Sequence, residues 1–320
     1  MDKSFAPPCT ADKPYISVVV PCFNEEEVLP IFYDETLKVL KSINCENYEF
    51  VFVDDGSSDS TIKIFRDISE KNKKVHFISF SRNFGKEAAI YAGLSKANGI
   101  FTAVMDADMQ DPPSLLPQML KALTEEGFDC AATRRSTRKN EPVLRSFFAR
   151  KFYKIMQSMS DVKVVDGARD FRLMSETYRK AVISLCERNR FTKGIFPWVG
   201  FNTKYFEYEN VERAAGKTKW SFWKLFKYSI DGIIGFSTKP LALASFLGVF
   251  MLLVAFAFLI FIIVRKILNG DPVQGWASMA CIIIFASGLQ LFTTGILGLY
   301  LSKIYIEVKQ RPIYIVKEEK

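Results

Sequence analysis

The sequence predicts an α/β fold with a mostly parallel sheet, followed by two helices long and apolar enough to span a membrane. Three observations predict it. Short β-branched runs alternate with helical stretches through the first third of the chain, a pattern that folds as right-handed βαβ units. Polar residues gather where those runs end, at Asn24, Asp54, Asp55, Asp106 and Asp108, and in such sheets ligands bind beyond the carboxyl ends of strands. Charged residues vanish from 240–264 and again from 275–302. Each of those runs exceeds the roughly 20 residues that a spanning helix needs.

Taken in order, residues 1–14 are polar, hold three prolines and read as a mobile N-terminal tail. Residues 16–20 form a β-branched run closed by Pro21, and 25–43 read as a helix. A second strand over 50–53 ends in Asp54-Asp55-Gly56, and a second helix covers 60–71. A third strand covers 75–79. The helix over 86–97 carries Ala88, Ala89, Ala92 and Gly93, which permit close packing. A fourth strand over 101–105 runs straight into Asp106-Ala107-Asp108. The catalytic-type domain so defined spans 15–219.

Residues 220–238 follow as a juxtamembrane amphipathic helix, with Lys224, Lys227 and Asp231 on one face and Trp220, Trp223, Ile230 and Ile234 towards the other. Trp with Lys is the composition of a helix lying in the headgroup layer. A two-helix hairpin occupies 239–302, with spans at about 240–264 and 276–301, and 303–320 form a C-terminal tail. Lys217, Lys219, Lys224, Lys227 and Lys239 precede the hairpin, and Lys303, Lys309, Arg311 and Lys317 follow it. The connecting loop carries only Arg265 and Lys266 against Asp271. That imbalance places the domain and both termini in the cytoplasm.

Composition excludes several classes. The chain has 320 residues, a mean hydropathy of +0.07 and 49% apolar residues, an average that hides the segregation just described. Its net charge is +8, from 43 basic and 35 acidic residues. Seven of the basic ones, Arg134, Arg135, Arg138, Lys139, Arg145, Arg150 and Lys151, lie within 134–151. Beside two spans, anionic lipid is the expected partner of this charge, and nucleic acid is not. Cys9, Cys22, Cys45, Cys130, Cys186 and Cys281 form no CxxC pair, so neither a disulfide scaffold nor a zinc site is indicated. The first residues hold no apolar signal-peptide core, as expected of a cytosolic domain. The sole histidine, His76, sits mid-strand, which excludes a Ser-His-Asp triad and an HExxH zinc site. Neither a GxGxxG after the first strand nor a GxxxxGK[ST] loop is present.

Carboxylates remain as the candidate chemistry. Asp106 and Asp108 leave a strand on the same side, and two hard oxygen ligands suit Mg²⁺ or Mn²⁺ shared with a substrate phosphate. Gln110 and Asp111 extend the polar strip. With these residues in place, four segments resemble glycosyltransferase family 2 with a GT-A fold, in order and spacing. They are Val-Val-Pro-Cys-Phe-Asn-Glu-Glu (19–26), Val-Asp-Asp-Gly-Ser-Ser-Asp (53–59), Arg-Asn-Phe-Gly-Lys (82–86) and Met-Asp-Ala-Asp-Met-Gln-Asp-Pro-Pro (105–113). Asp-Phe-Arg-Leu-Met (170–174), Lys-Gly-Ile-Phe-Pro-Trp-Val-Gly-Phe (193–201), Arg-Ala-Ala-Gly-Lys-Thr-Lys-Trp-Ser (213–221) and Gln-Arg-Pro-Ile-Tyr (310–314) further resemble its polyprenyl-phosphate glycosyltransferase subgroup. That subgroup includes bactoprenol glucosyltransferases and, more distantly, dolichyl-phosphate mannose synthases.

The resemblance implies roles residue by residue. Pro21, Phe23, Asn24 and Glu25 would form the nucleobase pocket, Asp55 would meet the base and Asp54 would support it. Lys86 would belong to the nucleotide-sugar site. Asp106 would approach ribose and metal, Asp108 would ligate the metal and Gln110 would sit beside it. Asp170 matches a proposed catalytic base, and Arg135, Arg145, Arg213 and Lys219 match positions that meet the acceptor phosphate. Lys217 departs from the subgroup, which has an acidic residue there. The implied reaction is inverting, metal-dependent transfer of glucose from UDP-glucose to undecaprenyl phosphate at a bacterial plasma membrane. UDP-N-acetylglucosamine, UDP-galactose and GDP-mannose are alternative donors, and a non-catalytic partner of a lipid-sugar flippase is an alternative of another class. The subgroup also implies a homo-oligomer, such as a tetramer.

Overall fold

The computed structural model describes residues 13–135, 165, 167–208, 230–269 and 275–320. Among them eight strands are found: β1 Ile16–Cys22, β2 Tyr48–Asp54, β3 Val75–Phe80, β4 Phe101–Val104, β5 Cys130–Arg135, β6 Ala168–Ser175, β7 Thr203–Tyr208 and β8 Val316–Glu319. They form one sheet in the order β7-β5-β6-β4-β1-β2-β3-β8. Strands β1 to β4, β5 and β7 run in one direction, while β6 and β8 are antiparallel to their neighbours. The mostly parallel sheet is therefore as expected. The consequence for function is geometric: the carboxyl ends of six strands and the start of β6 meet at one edge.

Buried β-branched and aromatic residues explain the central strands. Every residue of β1 is buried, and so is all of β2 after Tyr48, as both faces of a parallel sheet are covered. Helices α1 Leu29–Ser42, α2 Thr61–Lys71 and α4 Leu116–Thr124 contribute to the core of one face. There Phe50, Phe52 and Phe65 stack at centroid distances of 5.6 and 5.0 Å. Helices α3 Lys86–Lys96, α5 Glu176–Ser184 and α6 Thr192–Trp198 contribute to the other core. The small residues of α3 let it lie flat on β1 and β2. A Cβ added at Gly93 would stand 2.2 Å from Val19 Cγ1 and 3.2 Å from Val53 Cγ2.

The first helix starts later than its polar periodicity predicts, at Leu29 rather than 25. Asn24 turns the chain at φ +54°, and the amides of Glu25 and Glu26 are taken by Thr61 and Asp59. Pro30 then sits in the first turn, where its missing N–H costs nothing.

Helices α7 Lys239–Asn269 and α8 Trp276–Val308 are the two apolar helices, each long and apolar enough to cross a membrane. Helix α8 runs about two turns past the uncharged segment, and that extension docks on the domain. Glu307 accepts from the amides of Arg188 (2.7 Å) and Asn189 (3.2 Å). Lys303 meets Asp231 at 2.6 Å, and the Tyr300 hydroxyl donates to Ser237 O at 2.6 Å. The last residues, to which the sequence assigns no element, form β8. It pairs with β3, Arg66 grips Glu318 through two hydrogen bonds of 2.9 and 2.5 Å, and Tyr314 stacks on Phe80 at 4.8 Å. The C-terminal end of the helix pair thus joins the domain twice, through Glu307 and through β8. Of the amphipathic helix expected over 220–238, residues 230–236 are helical, and 220–229 lie outside the described residues. The N-terminal tail to residue 12, most of the basic 134–151 stretch and 270–274 of the connecting loop also lie outside them.

Gly93→Ala should lower the melting temperature by several degrees, since overpacking a core costs about 1–3 kcal/mol. An unchanged melting curve would refute the close approach of α3 to Val19.

Candidate active site

Two loops build one wall of the edge. The loop after β1 is laced to the loop after β2: Asn24 N donates to Ser57 Oγ at 2.9 Å, and Asn24 Oδ1 accepts from Ser58 N at 2.8 Å. Glu26 accepts from Ser60 N at 2.8 Å. Pro21 is buried inside β1 opposite Val53, and Phe23 and Glu25 are partly exposed beside it. Asp54 is buried, accepting from Ser57 N (2.9 Å) and Ser79 Oγ (2.7 Å). Asp55 is buried as well. It accepts from Phe84 N at 2.6 Å and from Gly85 N at 2.9 Å. Burial pushes its carboxyl upward, and the two amides oppose that rise. Gly56 makes the arrangement possible. It stands at φ +70°, and a Cβ there would lie 2.5 Å from the Arg82 carbonyl carbon. Asp55 therefore clamps the loop at 82–85 against β2, while Asp54 ties its own turn to β3.

The centre of the edge is a lysine between two aspartates. Strand β4 pairs with β6 through Val104↔Arg172. Continuing that register sets Asp106 opposite Asp170. Helix α3 begins at this point, and its first residue, Lys86, reaches both. Its Nζ lies 2.7 Å from Asp106 Oδ1, 2.8 Å from Asp106 Oδ2 and 2.5 Å from Asp170 Oδ2. Burial alone would push the ammonium down, but the two carboxylates outweigh it and raise its pKa. Burial would likewise raise Asp170, yet Lys86 and Lys193 hold it well below the usual carboxylate range. Asp108 stands next to this group, accepting from Gln110 N at 3.1 Å. Between them Met109 holds φ +58°, a backbone conformation costly for a bulky residue and concentrated at functional sites.

The far side of the edge is basic. Gln110 Oε1 accepts from Arg135 Nη2 (3.1 Å) and Arg169 Nη2 (3.2 Å). Asp111 is buried, pairs with Arg169 Nε at 3.1 Å and accepts from the Tyr208 hydroxyl. Arg135 ends β5, Tyr208 ends β7 and Arg169 is the second residue of β6. The structure thus brings Pro21, Phe23, Asn24, Glu25, Asp54, Asp55, Lys86, Asp106, Asp108, Gln110, Asp170 and Arg135 to one edge. Arg145, Arg213 and Lys219 lie outside the described residues.

Residues 17–182 match Glycosyl transferase family 2. The chain belongs to this family. As a family-2 glycosyltransferase it is 41% identical over 303 residues to CsbB of Bacillus subtilis (strain 168), a chain named as a glycosyltransferase, covering 95% of this chain and 91% of that one. It is 40% identical over 305 residues to the bactoprenol glucosyl transferase of Shigella phage SfV, covering 95% and 99%. Among solved structures, glucosyl-3-phosphoglycerate synthase of Mycobacterium tuberculosis with Mn²⁺, UDP-glucose and phosphoglyceric acid is 17% identical. It covers 70% of this glycosyltransferase and 78% of that chain, at a TM-score of 0.45.

Which groups could hold a metal follows from the donor set. Among the described residues no three His, Cys, Asp or Glu side chains cluster as a protein-only cage. Asp106 and Asp108 on one strand end fit Mg²⁺ or Mn²⁺ of the kind that completes its shell with water and substrate phosphate. Gln110 stands beside the two aspartates as the third expected ligand, its carbonyl oxygen held by Arg135 and Arg169.

Sequence reasoning missed Arg169, Tyr208 and Glu87. Arg169 had a signal, lying next to Asp170. Tyr208 had none, because β7 pairs with β5 from far along the chain. Glu87 accepts from Thr192 N at 2.9 Å and joins α3 to α6. Burial, then the nearby Asp170, pushes its carboxyl up to about 7 from an ordinary 4.5. Between those values the folded state holds a proton that the unfolded chain has lost, so stability falls as pH rises across this window. Glu87→Gln should therefore raise the melting temperature most above about pH 7 and match the wild type near pH 4. A pH-independent difference would contradict this reading.

Proposed function

We propose that this glycosyltransferase moves a sugar, glucose from UDP-glucose in the first instance, to the phosphate of a polyprenyl lipid such as undecaprenyl phosphate. The observation that carries the reading is the division of the edge. Acidic and lysine groups (Asp106, Asp108, Lys86, Asp170) occupy its centre beside the laced loops, and Arg135 and Arg169 line the other side. The relatives named bactoprenol glucosyl transferase, matched nearly end to end, support the acceptor class.

On this reading Pro21, Phe23, Asn24 and Glu25 shape the base pocket, while Asp54 and Asp55 keep its wall rigid. Asp106 and Asp108 hold Mg²⁺ or Mn²⁺, which supplies neutralising charge for the departing diphosphate. Lys86 lies within reach of the same leaving group. Arg135, with Arg145, Arg213 and Lys219, holds the acceptor phosphate, for which the planar guanidinium fork is suited. A phosphate monoester has its second pKa near 6, so the nucleophile needs little deprotonation. Asp170 stays ionised against Lys86 and Lys193 and orients the reacting groups. A single displacement at the anomeric carbon inverts it, turning an α-linked donor into a β-linked lipid-phosphate sugar.

The two apolar helices serve the same reaction by holding the site at the surface of a bacterial plasma membrane, with the domain and both termini cytoplasmic. The lipid tail then stays in the bilayer while its phosphate reaches the arginines. UDP-N-acetylglucosamine, UDP-galactose and GDP-mannose use the same chemistry, and donor choice rests on a few pocket contacts.

The test is incubation of the full-length membrane enzyme with each labelled nucleotide sugar, Mg²⁺ or Mn²⁺ and polyprenyl phosphate, followed by mass analysis of the lipid extract. A labelled lipid-phosphate sugar, greatest with UDP-glucose, is expected, and no labelled lipid with any donor refutes the proposal. Asp108→Ala should reduce turnover by about 100-fold or more, on the scale of losing a main electrostatic group. Near-normal turnover of that variant at limiting metal would remove Asp108 from the metal site.

A further inference from the structure

The structure places a cation where the incoming one must act. The ammonium of Lys86 is bidentate on Asp106, at 2.7 and 2.8 Å, and also contacts Asp170 at 2.5 Å. A carboxylate whose two oxygens both face an ammonium cannot take a divalent ion without setting two positive charges side by side. Either metal binding is weak while Lys86 is seated, or Lys86 leaves.

Lys86 is built to leave. It is the first residue of α3, so its backbone is fixed while its four-carbon stem and three rotatable donors are not. Its side chain keeps 40% exposure, whereas Asp106 and Asp170 keep 18% and 15%. Asp170 does not depend on it alone, since Lys193 and Arg172 also act on that carboxylate. Among the described residues Arg169 also acts on Asp106, but it is committed to Asp111 and Gln110.

We infer that Lys86 is a resident counter-ion that competes with the divalent cation for Asp106 and is drawn away by the donor diphosphate. Metal and nucleotide therefore bind with positive cooperativity. This rests on the proposed nucleotide-sugar reading and adds a consequence that reading lacks. The empty enzyme is kept from holding a bare metal ion, and the nucleotide itself opens the metal position. By linkage, the factor by which UDP tightens metal must equal the factor by which metal tightens UDP.

The experiment uses the detergent-solubilised full chain, with Mn²⁺ as the probe and bound ion read by electron paramagnetic resonance, with and without UDP. In the wild type, Mn²⁺ should bind weakly alone and more tightly with UDP. In Lys86→Met, Mn²⁺ alone should bind about tenfold more tightly, and the enhancement by UDP should shrink by a similar factor, within the usual range of coupling. Lys86→Arg keeps the charge and should behave as wild type, an outcome that loss of a merely structural contact would not produce. Melting curves confirm folding, and Lys86→Gln replaces the Met variant if that one fails to fold. Lys86→Met binding Mn²⁺ no more tightly than wild type, while UDP still promotes Mn²⁺ binding, overturns the inference alone. A wild type that binds no Mn²⁺ even with UDP overturns both the inference and the metal-dependent reading beneath it.

Discussion

Acidic groups converge where the parallel strands end, and they must be neutralised without being used up. Asp54, Asp55, Asp106, Asp108, Asp111 and Asp170 all lie at one edge of the sheet. The structure treats them in two ways. Asp54, Asp55 and Asp111 are buried and committed: the first two accept backbone amides and a serine hydroxyl, and the third takes an arginine and a tyrosine. Asp106 and Asp170 instead share the Lys86 ammonium, and Lys193 and Arg172 also act on Asp170. A committed carboxylate fixes loops, and a balanced one stays available to ligands.

That distinction also explains why the neighbourhood is stiff. Gly56 admits the backbone at Arg82, which lets Phe84 and Gly85 donate to Asp55. The same segment leads into α3, and its first residue is Lys86. The clamp on Asp55 therefore sets where the lysine starts. On the opposite side, Arg172 lies 4% exposed under β6, stacked 3.4 Å from the Phe196 ring centroid, and its guanidinium donates to Arg169 O at 2.9 Å. Arg172 thus fixes the start of β6, from which Asp170 and Arg169 project to different partners. Position at this site is decided by buried groups that hold the backbone from which Lys86, Asp170 and Arg169 project.

Much of this was legible in the sequence. Strand-helix alternation and polar strand ends are local signals, so the central strands, α2, α3 and the Asp106–Asp108 turn could be read directly. Both apolar helices could be read from charge alone. What could not be read depends on pairing between distant segments. Strand β6 enters antiparallel beside β4 and sets Asp170 opposite Asp106, although 63 residues separate them in the chain. Strand β8 has the charged sequence VKEE and shows no strand periodicity; its partner β3 makes it a strand. Helix α1 starts later than its sequence suggests because Thr61, at the start of α2, and Asp59, in the loop before it, capture the amides of Glu25 and Glu26, a contact that no helical periodicity reveals.

The same long-range pairing ties the apolar helices to the reacting groups. The base of α8 is held by Glu307 on the amides of Arg188 and Asn189. Three residues on, Thr192 donates to Glu87. Glu87 follows Lys86 in the chain. A continuous run of contacts thus leads from the helix hairpin to the lysine between Asp106 and Asp170. Beyond α8, the chain returns to the sheet as β8 beside β3, the strand that leads into α3. Two anchors therefore hold the hairpin to the domain, one through a loop and one through the sheet, and both lead to α3. If the bilayer fixes α7 and α8, as proposed, it fixes the height of α3 as well.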